Sequence, residues 1–191
     1  DLDQTYEDMR LAYRRIFQRC GLDTVTVQAD SGAMGGKTSE EFMVRSHIGE
    51  DTIIECSSCG YISNLERAEC TAEYEEAGSE DEHTLEKVYT PDIKTIEELT
   101  RFFKISPNQF IKTLIYCNED EEVAIVLIRG DLEINEVKLN NALMGKSYEL
   151  ATDQIVEEVT GAKVGFAGPV GVENVRIIAD ESVKYMRNAI T

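Results

Sequence analysis

The stretch Asp30-Ser31-Gly32-Ala33-Met34-Gly35-Gly36-Lys37-Thr38-Ser39-Glu40-Glu41-Phe42 decides how this chain is read. Its middle, Gly36-Lys37-Thr38, imitates a phosphate-binding P-loop, in which backbone amides cradle phosphates and a Lys reaches the terminal ones. The spacing fails by one residue: Ser31 stands where the motif needs its first Gly, and Gly32 comes one position late. The context fails as well. A P-loop opens a helix, whereas Glu41 to Ser46 is followed closely by Gly49 and suits a strand. The block reads as a Gly-rich loop between strands.

Outward from that loop, Tyr6, Met9, Tyr13, Ile16, Phe17 and Cys20 fall three or four apart. This predicts an amphipathic helix over 3–20 with Gly21 as its stop. Thr24–Gln28 alternates with β-branched residues and reads as a strand. Glu41–Ser46 and Thr52–Cys56 read as two more, joined by a turn at Gly49-Glu50-Asp51. His47 reads as a strand residue. Near Cys56 the character changes: Tyr61 to Glu75 is Ala-rich and weakly helical, and Ala77 to Glu82 is a polar connector. A domain boundary is expected at about residue 60, giving units 1–60 and 61–191.

The second part alternates helix and strand signals. Thr95-Ile96-Glu97-Glu98 is a capping box, in which Thr and Glu satisfy each other's free amides. Ile96, Leu99, Phe102 and Phe103 form that helix's apolar face. Ser106-Pro107 is a second start signal. Strands are expected at Thr113–Cys117 and Val123–Ile128 across an acidic turn, followed by a helix over Glu136–Leu143. Thr152 should cap another helix that Gly161 ends. Val175–Ala179 reads as a last strand, before a polar helix with Val183 and Met186. The fold class is α/β (α+β).

At 191 residues the chain holds one or two domains. No apolar run approaches the ~20 residues that span a bilayer. The chain opens on Asp1-Leu2-Asp3 with neither a signal peptide nor an initiating Met, which reads as a piece of something longer. The five Cys are odd in number and irregularly spaced, which fits a reducing, cytoplasmic setting. With 37 acids against 19 bases and a net charge of −18, this piece alone is a poor grip for RNA, whose affinity comes mainly from phosphate contacts.

The helix to Cys20-Gly21, the loop Ala29 to Gly36, Ser39-Glu40-Glu41-Phe42 and Gly49-Glu50-Asp51-Thr52 follow one another in an order that resembles the bacterial-type prolyl-tRNA synthetases. The resemblance covers essentially the whole chain. It departs at Glu40, where the family has His. It implies a fragment of a class II synthetase antiparallel sheet followed by most of a YbaK-like mixed α/β editing domain. It also implies that the chain starts after the family's second class II motif and stops before the third and before the end of the editing domain. The ATP-binding Arg residues would then be absent and this piece unable to charge tRNA.

Four features could carry chemistry. Lys112 stands where a short helix gives way to a strand, able to present a point charge while its stem packs on the core. By residue type alone it is equally a solvated surface Lys. The resemblance implies the first role, since Ile111-Lys112-Thr113-Leu114 matches the context of the editing family's functional Lys. Gly165-Phe166-Ala167-Gly168-Pro169, flanked by Gly161 and Gly171, permits close backbone approach to a ligand, or is an ordinary turn. Its Gly-x-x-x-Pro spacing matches a loop that the editing family carries at its substrate pocket. Arg129-Gly130-Asp131 with Asn135-Glu136 follows a buried-looking strand; Asp131 reads first as the cap of the next helix, and a cleft-wall role is implied by the family's similar run. Cys56-x-x-Cys59 has zinc-ligand spacing, with Cys70 and His83 as further candidates, but it lacks a second close pair and no metal is expected. No Ser/His/Asp or Cys/His set can be assembled.

The expected function follows from the resemblance. The whole enzyme would join proline to its tRNA using ATP and would be a homodimer. This piece would hydrolyse alanine mischarged on the proline tRNA. Lys112 is expected to anchor the terminal adenosine and its phosphate; Thr113, Arg129, Asp131 and the loop Gly165–Pro169 would bind the aminoacyl end. Water would attack the ester with help from a ribose hydroxyl. Two other classes are a non-catalytic aminoacyl- or nucleotide-binding module and a zinc-stabilised interaction domain.

Overall fold

The computed structural model describes residues 1–32, 35–36, 38–69, 81–144 and 146–191. The chain divides into two compact units, Asp1–Cys70 and Thr71–Thr191.

The first unit opens with α1 (Leu2–Arg19), capped by the Asp1 carboxylate, which accepts from the Asp3 amide. Its end is a Schellman turn: the Gly21 amide donates to the Gln18 carbonyl and the Leu22 amide to Phe17, both at 3.0 Å. Gly21 takes φ +77°, the left-handed conformation this stop requires. Four strands follow: β1 (Thr24–Ala29), β2 (Ser39–Val44), β3 (Ile53–Glu55) and β4 (Ile62–Asn64). Their order is β2-β1-β4-β3. β1 pairs antiparallel with β2, from Thr24↔Val44 to Ala29↔Ser39, and parallel with β4 at Gln28↔Ser63. The sheet is therefore mixed, where antiparallel strands alone were expected. β2 and β3 are not partners either. They form opposite edges, and Arg45, just past β2, pairs with Glu55 of β3 at 2.8 Å.

Ile62–Asn64, expected within a weakly helical stretch, is the strand β4, bonded on both sides and buried at Ser63 and Asn64. This strand completes the first sheet, so the compact unit runs past residue 60 to Cys70. The rest of the Ala-rich stretch from Cys70 onward, with most of the polar connector, lies outside the described residues. His47 stands in an exposed turn, not in a strand, because β2 stops at Val44.

The second unit holds α2 (Ile96–Phe103), β5 (Ile111–Asn118), β6 (Val123–Arg129), α3 (Glu136–Ala142), β7 (Tyr148–Leu150), α4 (Asp153–Thr160), β8 (Arg176–Ala179) and α5 (Glu181–Lys184). The sheet order is β7-β5-β6-β8, with β6 and β8 parallel and the other pairs antiparallel. β5 and β6 bury both faces, with the period-two alternation of a strand dividing the core in two. Tyr116, Ala124 and Val126 pack with Leu139 and Leu143 of the α3 segment. Ile115, Ile125 and Leu127 pack with Val156 of α4. The expected mixed α/β class is what the structure shows.

The Thr95 capping box forms as expected, Glu98 N–H to Thr95 Oγ1 at 3.2 Å and Thr95 N–H to Glu98 Oε2 at 3.1 Å. Ser106-Pro107 starts only one 3-10 turn, Pro107–Gln109, and Ser106 makes no side-chain cap bond. Asp131 does not cap α3: the helix opens at Glu136, so the cap position falls on Asn135, which accepts from the Lys138 amide at 3.1 Å, while Asp131 pairs with Arg129. α5 ends at Lys184, leaving Met186 beyond it. Among the described residues no helix is long and apolar enough to cross a membrane.

Candidate functional site

β7 covers only residues 116–118 of β5, so the first half of β5 is an open edge. Two contacts bound the gap: the Ile111 amide donates to the Ile190 carbonyl at 2.8 Å, and the Ala151 amide to the Ile115 carbonyl at 2.9 Å. Backbone groups of alternate residues point the same way, so the Thr113 peptide faces the gap between them. A cleft of about 1650 Å³ opens there, wide for a small-ligand pocket.

Lys112 lies in the cleft lining on β5. Its ammonium donates to the Leu132 carbonyl at 2.8 Å and to Glu133 Oε1 at 2.6 Å. The Lys112 side chain is 20% exposed and that of Glu133 is 89% exposed. The carbonyl is thus the more enclosed partner, while Glu133 is a solvated carboxylate. Thr113 sits beside it, its hydroxyl 3.2 Å from that of Thr191.

Gly165, Phe166 and Ala167 line the same cleft. The Phe166 amide donates to the Lys163 carbonyl at 2.9 Å, closing the turn that presents the loop. Gly165 has φ +88°, and a Cβ there would stand 3.1 Å from the Lys94 stem. The positive φ favours Gly, and an added Cβ would also press on the Lys94 stem. The Lys94 ammonium lies 5.5 Å from the centre of the Phe166 ring, a cation–π distance. Gly168 abuts Thr191, 3.7 Å from a would-be Cβ to its hydroxyl, but is not in the cleft lining, and neither is Pro169.

Arg129 and Asp131 are also outside that lining. Arg129 grips Asp131 with two hydrogen bonds, at 2.6 and 3.0 Å. The guanidinium holds the Asp131 carboxyl below the ordinary aspartate range, and the Lys112 charge acts in the same direction. Gly130 between them donates to the Phe110 carbonyl at 2.7 Å, and a Cβ there would meet the Pro107 carbonyl at 2.5 Å.

The cleft also gathers His83, weighed in the sequence only as a zinc candidate, and residues that the sequence did not point to. His83 lines it, its amide held by Asn188 Oδ1 at 2.9 Å. Lys94, Glu133 and Thr191 are the others. His83 sits in a polar run with no periodic signal, and Lys94 directly precedes the legible capping box without itself standing out.

In the first unit, a hollow of about 380 Å³ is lined by Tyr6, Arg10, Glu40 and Arg67, among others. Glu40, the departure from the family pattern, accepts from the Tyr6 hydroxyl at 3.4 Å. Burial, and then the Glu40 charge, push the Tyr6 phenol up. Among the described residues no group of three or more His, Cys, Asp or Glu is placed to hold a metal. Cys70, the third zinc candidate, lies outside the described residues, as do Ala33, Met34 and Lys37 of the Gly-rich loop.

Residues 90–191 match the model of the aminoacyl-tRNA editing domain. The chain is 57% identical over 190 residues to the proline–tRNA ligase of Brachyspira hyodysenteriae, covering 99% of this chain and 33% of that protein. It is 52% identical over 189 residues to the proline–tRNA ligase of Caldicellulosiruptor saccharolyticus, covering 99% of this chain and 32% of the other. For the Treponema denticola protein of the same name the identity is 46% over 213 residues, covering 100% of this chain and 36% of the other. The chain thus spans about a third of the length of the curated relatives it matches. The matched segment contains β5 and its Lys112, the Gly165 loop and both contacts that bound the cleft, and the chain belongs to the aminoacyl-tRNA editing domain family.

Proposed function

We propose that the cleft along β5 hydrolyses alanine from mischarged proline tRNA, within a longer proline–tRNA ligase that charges the tRNA with proline and ATP. The observation that carries this reading is the position of Lys112: a cation at an open strand edge, held by one main-chain carbonyl and one displaceable carboxylate. The terminal adenosine phosphate of the tRNA takes the place of Glu133 on its ammonium. The Thr113 peptide and the turn at Gly165 and Phe166 then stand on either side of the ester carbonyl. Water attacks that carbonyl, the ribose oxygen leaves with a proton, and alanine and the uncharged tRNA separate.

The need for such a site is one of size. Alanine enters any pocket made for proline, because each missing methylene changes binding by only about 1–3 kcal/mol. A second site that admits alanine and excludes the larger ring supplies the missing discrimination. The test is deacylation of alanyl-tRNA(Pro) against prolyl-tRNA(Pro) by this chain and by Lys112→Ala. The alanyl ester should be lost selectively. Lys112→Ala should slow that loss roughly 10- to 100-fold, since a hydrogen bond to a charged group contributes about 1.5–3 kcal/mol. Equal rates for the two proteins would remove Lys112 from the site; no loss of alanine, or equal loss of proline, would overturn the activity or its specificity and favour a binding module.

A further inference from the structure

The β3–β4 hairpin carries a motif that the editing reaction does not use. Between Glu55 and Ile62 the chain runs Cys56-Ser57-Ser58-Cys59-Gly60-Tyr61. The turn is closed twice: the Cys56 amide donates to the Tyr61 carbonyl at 2.8 Å, and the Gly60 amide donates to the Cys56 carbonyl at 3.1 Å. Gly60 takes φ +74°, which turns the chain back toward β4. The second of these bonds closes a five-residue turn, Cys56–Gly60, that holds both cysteines. The neighbouring Cys59 amide, then that of Ser58, hold the Cys56 thiol below its ordinary range. Cys59 is exposed and Cys56 half-buried, so both are reachable by a small reagent.

We infer that Cys56 and Cys59 form a thiol–disulfide exchange site for small disulfides of the glutathione class. Among the described residues no group of three or more His, Cys, Asp or Glu is placed to hold a metal, and a tetrahedral zinc site takes four ligands, whereas two thiols suffice for one disulfide. The step balances without an unnamed reactant. The Cys56 thiolate attacks one sulfur of oxidised glutathione, forming a mixed disulfide and expelling one glutathione thiolate. Cys59, as its thiolate, attacks the Cys56 sulfur and expels the second. Two protein thiols are oxidised, one disulfide is reduced to two thiols, and the two protons pass to the departing thiolates. The Cys56 side reacts first because nucleophilic attack requires the thiolate, which the turn's donors favour.

The test uses the whole 191-residue chain in glutathione buffers of graded ratio, with peptide mass analysis after alkylation. Cys20, an exposed thiol on the first unit, is the internal reference. Oxidised glutathione should convert the peptide containing Cys56 and Cys59 to an intramolecular disulfide while Cys20 remains alkylable. Cys59→Ser should trap glutathione on Cys56, and Cys56→Ser should leave Cys59 largely unmodified. On the unmutated chain, iodoacetamide should label Cys56 several-fold faster than Cys20. Equal labelling rates with no Cys56–Cys59 disulfide would overturn the proposal. So would bound zinc that shields both thiols until a chelator removes it, since the pair would then be a metal site.

Discussion

Both units place helices against a four-stranded sheet, yet they bury them to very different degrees. In the first, the described residues contribute two buried apolar side chains, Val27 and Ala29, and the 18-residue α1 buries none of its own. Its Tyr13 and Phe17 reach Phe42 at ring separations of 5.8 and 5.7 Å, but stay partly open. In the second unit, β5 and β6 are covered on both faces, and buried side chains run from Phe110 through Val156. The difference teaches that a helix can be locally perfect and still contribute little burial. Caps and stops are made by a few neighbouring residues, whereas hydrophobic stabilisation scales with the apolar area covered. The second unit should therefore be the more stable of the two.

The strongest way to break this comparison is Leu143→Ala. Leu143 is 1% exposed beneath the second sheet, and such a truncation costs about 2–5 kcal/mol. Denaturant unfolding followed by hydrogen exchange should show β5 and β6 losing protection while α1 keeps its own level. Equal loss in α1 would mean that the two units unfold as one.

Gly130→Ala against Gly49→Ala sharpens it. An added Cβ at Gly130 would meet the Pro107 carbonyl at 2.5 Å and Phe110 Cβ at 2.9 Å, while at Gly49 the nearest atom is 3.7 Å away. The first change should cost about 1–3 kcal/mol through overpacking. The second should stay within about 0.5 kcal/mol. Urea midpoints of the two variants check this, and similar midpoints would deny the tight packing of the second unit.

The smallest effects separate two helix starts inside the second unit. Asn135 bonds the Lys138 amide, and Thr152 makes no side-chain cap bond although it occupies the same position on α4. Asn135→Ala should cost about 1 kcal/mol and Thr152→Ala only a few tenths. Equal shifts in melting would show that α4 takes its stability from its cap and not from burying Val156.

The same distinction governs what was legible in advance. α1, the β5–β6 pair, α3 and the Thr95 capping box were readable because each declares itself within a few residues. β4 and β7 were not. Ile62-Ser63-Asn64 and Tyr148-Glu149-Leu150 are each three residues long, too short to show a period, and become strands only through hydrogen bonds to β1, β3 or β5. The Asp131 cap failed for a related reason: Asp and Asn are both good caps, and which of them stands at the cap position depends on where the helix opens, here at Glu136. In the cleft, Lys112 and the Gly165 loop stood out by type and spacing, with family resemblance adding their meaning. Lys94 and Thr191 did not, and His83 was singled out only as a zinc candidate, since nothing in a linear pattern reports that residues so far apart line one wall.

By itself, then, the sequence determined the local matter of this protein: where α1 starts and stops, that β5 and β6 pair across an acidic turn, and which family the chain resembles. Only the tertiary structure decided the strand orders β2-β1-β4-β3 and β7-β5-β6-β8, and with them the open edge where Lys112, Thr113 and Thr191 meet. The physical reason is that turns and caps satisfy backbone groups with their own neighbours, whereas a sheet edge exists only by virtue of which distant strand is, or is not, beside it.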